Sequence, residues 1–144
     1  MLARNLMIVF VAAIACMAQG HTTQGRTYAC VRSLGLIAYP PIARQARIQG
    51  TVEAEVTLQA KGLPGKIKVG DGHPLLKKQT EEAVRGWRYT CGHDHCIGGE
   101  KIALVVEFRL EGEPLYLDCP QVSVTQADHS IRVLLLSHPP QWMP

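Results

Sequence analysis

The side chains best suited to chemistry lie together in one short segment, from Cys91 to Cys96. The segment reads Cys-Gly-His-Asp-His-Cys, so thiols and imidazoles are closely spaced. Thiolates and imidazoles are ligands that zinc and copper favour. A tetrahedral site made of Cys91, His93, His95 and Cys96 would strain so short a loop, because structural zinc sites normally take two ligand pairs from separated segments. Metal binding, or a redox function of this loop, is therefore an alternative hypothesis.

The same cysteines suit a disulfide. A bond between Cys91 and Cys96 would fix the loop between a predicted helix and the strand that follows it. Cys30 and Cys119 then remain, one on each side of the central region. Their pairing would tie the two extensions of the chain together.

Export is needed for such bonds to persist. Arg4 precedes an apolar run at residues 6–15, and small and polar residues 18–20 follow. A permanent membrane helix takes about 20 apolar residues, so a cleaved signal peptide over residues 1–20 is favoured over a retained anchor. Lipidation at Cys16 is a further alternative. The protein is expected to be periplasmic or otherwise exported.

Catalytic signatures are missing from the sequence. It contains no G-x-S-x-G elbow, no H-E-x-x-H pair and no phosphate-binding loop. The basic residues are scattered and are not interleaved with aromatic residues, as a nucleic-acid groove would require. We therefore expect a protein that is not an enzyme, takes no cofactor and does not bind nucleic acid.

Residues 39–110 carry regular helix and strand patterns. Pro41 suits the first turn of a short helix, in which Ile42 belongs to the apolar stripe and Arg44 to the polar side. Gly50 ends this helix. A longer helix begins at the proline at residue 74, and its apolar stripe includes a buried tryptophan.

Three strands are predicted in the same region, at residues 52–59, 66–69 and 102–110. The first and third alternate strictly between apolar and polar residues, which is typical of half-buried antiparallel strands. Two helices and three strands, each with one apolar face, bury those faces when both helices pack on one side of the sheet. The predicted fold is α+β, with a small three-stranded antiparallel sheet and extra C-terminal β segments.

Several motifs resemble one known family. They are Tyr-Pro-Pro-Ile-Ala-Arg at residues 39–44, Gly-His-Pro-Leu-Leu at residues 72–76, Trp-Arg-Tyr at residues 87–89 and Val-Val-Glu-Phe at residues 105–108. In this order and at this spacing, they resemble the TonB C-terminal domain family over residues 39–110. Together with the leader pattern, the resemblance divides the chain into four expected regions: a signal peptide at residues 1–20, an N-terminal extension at 21–38, the domain at 39–110 and a C-terminal extension at 111–144.

The resemblance also implies a mode of binding. Family members pair an exposed sheet edge with an extended peptide, such as the N-terminal box of an outer-membrane transporter, which is β-augmentation. Tyr39, Pro40 and Gly50 are the signature positions, and Tyr39 and Pro40 match the segment beside the bound peptide. The expected peptide-binding residues belong to the last predicted strand: Ile102, Leu104, Val105, Val106, Glu107, Phe108 and Arg109.

Two features differ from a complete energy transducer. The chain is expected to lack the membrane anchor and the long proline-rich span that such a protein uses, so it should not transduce energy alone. The C-terminal extension contains further strand patterns, including residues 122–124 and 131–136. If the last of these paired with residues 102–110, the sheet would be self-capped. The domain would then be a structural envelope module, with a homodimer by strand exchange as a further possibility.

Overall fold

The computed structural model describes residues 29–33, 35, 37–91, 96–115, 120–127 and 130–141. The predicted signal peptide at residues 1–20, Cys16, His93, His95 and Cys119 lie outside these residues. In chain order the elements are β1 (Ala29–Ser33), α1 (Pro41–Gln45), β2 (Gly50–Leu58), a 3-10 turn (Ala60–Gly62), β3 (Pro64–Val69), α2 (Pro74–Gly86), β4 (Arg88–Cys91), β5 (Lys101–Leu110), β6 (Gln121–Ala127) and β7 (Ser130–Ser137). Within the described parts of the chain, neither helix has the length and apolarity to span a bilayer.

The two helices begin where the prolines predict. Both have proline at the first position, where the missing N–H is not needed. At the start of α2 the Nδ1 atom of His73 accepts a hydrogen bond from the backbone N–H of Leu75, at 3.3 Å, so this histidine caps the helix. α2 ends at Gly86, and Trp87 lies just beyond it in extended backbone.

The main sheet has five strands in the order β3-β2-β5-β7-β6. β2 pairs antiparallel with β3 and with β5, as the patterns predict. The C-terminal extension supplies the other two strands: β7 pairs parallel with β5, and β6 pairs antiparallel with β7. The predicted α+β fold is confirmed, and the extra β segments belong to the same sheet, which becomes mixed.

A second, two-stranded ribbon joins β1 to β4 in antiparallel pairing. The sequence patterns do not predict this ribbon, because the motif at residues 87–89 directly follows the apolar stripe of the long helix. The helix ends earlier because Trp87 takes a β conformation, and the following residues are then free to pair with β1.

The core lies between the helices and one face of the five-stranded sheet. The alternating residues of β2 and β5 are buried there as predicted, and Trp87 and Phe108 are the largest side chains that are fully buried. The helix α1 buries Ala43, but Ile42 is 66% exposed. The apolar stripe predicted for α1 is therefore wrong at Ile42, because this helix is too short to bury more than one side chain beneath it.

Candidate functional site

The predicted peptide-binding strand is β5, and the structure places it inside the sheet. β2 pairs with one side of β5, from Gly50 opposite Phe108 to Thr57 opposite Lys101. β7 pairs with the other side. The expectation that Ile102, Leu104, Val105, Val106, Glu107, Phe108 and Arg109 form an open edge is therefore corrected, because both backbone sides of this strand are occupied.

β7 occupies the place where a guest strand would pair with β5. Eight successive residue pairs join the two strands without a register shift. Ile131, Val133 and Leu135 lie next to Leu104, Val106 and Phe108, and all six side chains are at most 1% exposed. β7 is therefore part of the hydrophobic core, and the self-capped arrangement considered from the sequence is present.

One of the two remaining outer strands is β3, which has features that oppose strand addition. It begins with Pro64, and exposed Lys66 and Lys68 follow. Its pairing with β2 is interrupted by a register shift between Val56 and Leu58. Proline, lysine and bulges are the devices by which natural sheets keep an edge from pairing with other chains. We call β3 a guarded edge, meaning an outer strand whose proline, lysines and register shift oppose pairing with another strand.

The other outer strand is β6, which has none of these devices. Its sequence, Gln-Val-Ser-Val-Thr-Gln-Ala, contains no charge, proline or glycine. Seven successive pairs join it to β7 without a register shift. Among the described residues, no strand pairs with its outer side. Because alternate N–H and C=O groups of an edge strand point away from the sheet, β6 presents a regular row of backbone donors and acceptors.

The exposure of β6 is unusual for a strand next to the core. Only Val124 is partly buried and packs against the core cluster, while Val122 is 42% exposed. The remaining side chains of β6 are exposed on both faces. β6 therefore extends beyond the helical layer, where an incoming strand would meet no obstruction from either helix.

The signature residue Tyr39 has a structural position in this chain. Its side chain is 5% exposed, and its hydroxyl donates a hydrogen bond to the carbonyl of Ile48 at 2.6 Å. Its ring lies edge-on to Phe108, with centroids 5.5 Å apart. Burial raises the pKa of Tyr39 to about 12. Tyr39 thus holds the segment around α1 against β5, next to the position of Leu135 on β7.

Arg44 connects the family domain to the C-terminal extension. Its Nε donates to the carbonyl of His138 at 2.7 Å, and one terminal nitrogen donates to the carbonyls of Leu115 at 2.5 Å and Pro139 at 3.4 Å. The sequence pattern had placed Arg44 on the polar side of its helix without a partner. No local signal points to these carbonyls, because two of them lie more than 90 positions away along the chain.

The disulfide predicted between Cys91 and Cys96 is present. Both cysteines are buried, and the bond joins the end of β4 to the loop before β5. Both sulfur atoms are used in this bond and are not thiolates, so the set of ligands required by the metal hypothesis is not assembled. The backbone of Cys30 pairs with Thr90 in the β1–β4 ribbon, and the pairing of Cys30 with Cys119 stays a prediction.

Gly62 shows how closely this region is packed. Its φ is +72°, and a Cβ at this position would lie 1.9 Å from the carbonyl oxygen of Tyr89. The backbone of the 3-10 turn can approach β4 so closely only because Gly62 has no side chain. The turn and the disulfide together fix the start of β5.

The described residues form a two-layer α+β domain with β3 and β6 as the outer strands of its main sheet. The family model of the Gram-negative bacterial TonB protein C-terminal matches residues 36–110 of the chain. This is just over half of the 144 residues, and the chain belongs to this family. β6 and β7 lie outside the matched region.

One curated relative is the protein TonB of Vibrio cholerae serotype O1 (strain ATCC 39315 / El Tor Inaba N16961). It is 31% identical over 80 residues, which is 51% of this chain and 32% of that protein. The chain therefore spans about a third of the length of this relative. No solved structure matches the chain significantly.

Proposed function

We propose that this chain is a protein-binding module of the bacterial cell envelope that adds an extended segment of a partner protein to the outer side of β6. Membership of the TonB C-terminal family supports binding rather than catalysis. The observation that carries the choice of β6 is the continuous pairing of β5 with β7. Because the strand resembling the family's docking edge is occupied, strand addition takes place at the outer strand whose sequence carries no proline, lysine or bulge.

Binding at β5 would require β7 to leave. Ile131, Val133 and Leu135 are essentially fully buried, and burial of such side chains contributes about 1.5–3 kcal/mol each. Displacement would therefore cost roughly 5–9 kcal/mol before the lost hydrogen bonds are counted. A peptide that binds with micromolar affinity has about 8 kcal/mol in total. A guest strand would use most of its binding free energy to replace β7, so docking at β6 is favoured.

The chemistry of β6 indicates which segments it accepts. It has no charged side chain, so affinity comes from the backbone ladder and selectivity from contacts with its small polar and β-branched side chains. A partner segment must be extended and free of proline at the positions that donate hydrogen bonds. An outer-membrane transporter box, or an extended segment of another envelope protein, is the class of partner that we propose.

Location in an exported compartment is part of the same proposal. The Cys91–Cys96 disulfide is buried in the core, and disulfides persist in oxidising compartments such as the periplasm. A cleaved leader over residues 1–20 would bring the chain there. Mass spectrometry of the secreted protein tests this step, since retention of residues 1–20 would contradict cleavage.

A titration followed by NMR tests the docking edge. The chain, labelled with ¹⁵N and kept dilute, would be titrated with a transporter box peptide and with a control peptide in which alternate residues are replaced by proline. We expect shifts of backbone amides in β6 with the first peptide, unchanged amides in β5, and no response to the control. Cross-peaks between the peptide and β6 would identify the strand that pairs.

The position of the shifts decides between the alternatives. Shifts in β5 together with release of β7 would mean that the guest replaces β7, and the proposed edge would be wrong. No response anywhere in the sheet would overturn the binding function and leave the structural envelope module, which the β5–β7 pairing favours as the second candidate.

A further inference from the structure

We infer that the extended segment accepted by β6 is β6 of a second copy of this chain, paired antiparallel about Val124. This inference rests on the proposed docking edge and names its partner. Three observations lead to it: the symmetry of the β6 sequence about its centre, the absence of charge along it, and the guarding of the opposite edge of the sheet.

The centre of β6, Ser-Val-Thr at residues 123–125, is nearly the same when it is read from either end. If Val124 lies opposite Val124 of the second copy, then Ser123 lies opposite Thr125 and Val122 opposite Gln126. Hydroxyl side chains thus face hydroxyl side chains, and such cross-strand pairs are favourable in antiparallel sheets. The centre of the strand is an apolar pair of Val124 residues, which are partly buried in the single chain.

The same register keeps each face of the sheet continuous. Within the chain, Val122 and Val124 lie opposite Leu135 and Val133, so they belong to the face that carries the helices. A two-fold axis perpendicular to the sheet at Val124 places both helical layers on one side. The partly buried Val124 residues of the two copies would then cover one another, with Val122 of each copy diagonal to Val124 of the other, which removes apolar surface from water.

Charge does not oppose this pairing. β6 itself is uncharged, and the nearest charge of the described sheet on this side is Arg132 of β7, opposite Thr125. In the dimer the two Arg132 residues would be separated by three strand spacings, about 14 Å. This is beyond the Debye length of about 8 Å at physiological salt, so their repulsion is largely screened.

The assembly also stops at two copies. Pairing of β6 with β6 uses the unguarded edge of both chains, and the outer strands of the combined sheet are then the two copies of β3. Since β3 carries Pro64, exposed lysines and a register shift, further strand addition is opposed. A closed two-fold dimer results, and not an open fibre.

Two variants that differ at a single position test the register. Both carry Thr125→Glu, which faces Arg132 inside the chain, and they add either Ser123→Glu or Ser123→Lys. In the antiparallel register residue 123 of one copy faces residue 125 of the other. S123E/T125E therefore sets like charges opposite each other at two places, whereas S123K/T125E sets opposite charges there.

Sedimentation velocity over a range of concentrations measures the result on the full chain. We expect the wild type to pass from monomer to dimer as its concentration rises. The dissociation constant of the S123E/T125E dimer should be about tenfold higher than that of the wild type. S123K/T125E should dimerise at least as tightly as the wild type. Thermal melting of the dilute variants checks that each one is folded.

Two results would overturn the inference: a wild type that stays monomeric up to millimolar concentration, and an equal weakening of both variants. In either case the peptide titration decides separately whether β6 is a docking edge. If the chain stays monomeric but the peptide shifts the amides of β6, only the second copy is rejected as the partner. If β6 pairs with neither the peptide nor a second copy, both proposals are rejected.

Discussion

β6 and β7 are neighbouring strands of one hairpin, yet they have different relations to the rest of the molecule. In β7, the side chains of Ile131, Val133 and Leu135 are at most 1% exposed. In β6, no side chain is fully buried. β7 fills the place beside β5 and completes the core. β6 adds little to the core and leaves a backbone edge exposed. The comparison separates a strand that stabilises the fold from a strand that is available for binding.

The compositions of the two strands agree with these roles. β7 reads Ser-Ile-Arg-Val-Leu-Leu-Leu-Ser, with large apolar residues at alternate positions, and β6 has only valine as a large apolar residue. One face of β6 is polar and the other has only the two valines as large apolar residues, which is expected where most of the strand meets water. The extension therefore closes one edge of the family domain and creates another.

The largest expected effect is at Leu135. Leu135→Ala removes a fully buried side chain beside Phe108, and such substitutions cost about 2–5 kcal/mol of unfolding free energy. Val122→Ala in β6 should cost well under half as much, because Val122 is 42% exposed. Urea unfolding of both variants measures the difference. Equal losses would mean that β6 is packed as firmly as β7, which would remove the basis of the comparison.

Arg44 offers a second way to test the attachment of the extension. Arg44→Ala removes the donors that reach the carbonyls of Leu115, His138 and Pro139, and we expect a loss of about 1–3 kcal/mol. Hydrogen exchange should become faster in the residues that follow β7.

Two other substitutions serve as controls for Arg44. Arg44→Lys should recover only part of the stability, because an ammonium group lacks the planar fork of donors. Arg47→Ala removes an exposed arginine near the same helix and should change stability by less than about 0.5 kcal/mol. A loss at Arg47 as large as that at Arg44 would show that the effect arises from net charge.

Much of the fold follows from residue patterns. Strict alternation locates β2 and β5 and identifies their buried faces, and Pro41 and Pro74 mark the starts of both helices within one residue. The strands of the extension are also visible as patterns. These features are local, since each depends on the period of a single segment.

The structural features that the residue patterns do not predict depend on contacts between segments far apart in the chain. The apolar pattern at residues 131–136 predicts a strand but not its neighbour, and only the pairing with β5 decides whether the docking edge is open. Arg44 binds backbone carbonyls, and every residue has one, so the sequence does not show which residues accept its hydrogen bonds. β4 has only four residues and follows α2 almost directly, so no separate strand pattern identifies it.

A substitution at Tyr39 tests how much this signature residue stabilises the core beside β7. Tyr39→Phe keeps the ring against Phe108 and removes the hydrogen bond to Ile48, so we expect a loss of about 1 kcal/mol at neutral pH. A larger loss would mean that the ring itself shifts, which the side-chain signals of Phe108 and Leu135 would report.

The pH dependence gives a sharper result for Tyr39. Its pKa is about 12 in the folded chain, against about 10 for an unfolded tyrosine. The folded state therefore holds the proton more firmly. The stabilisation that depends on a protonated Tyr39 hydroxyl is present in full below pH 10 and is lost as the pH rises through 12. Burial also raises the pKa of Tyr89, so Tyr39→Phe should reduce the alkaline loss without abolishing it.

The smallest expected effect involves no substitution and concerns amide exchange in the two strands. The amides of β7 that bond to its neighbours should exchange only when the whole chain unfolds, because its side chains are part of the core. Those of β6 that point away from β7 should exchange rapidly in dilute solution, since among the described residues no strand covers them. Exchange at these positions should slow as the concentration rises and the second copy pairs with them. Slow exchange at every concentration would mean that a segment of the same chain already covers this edge.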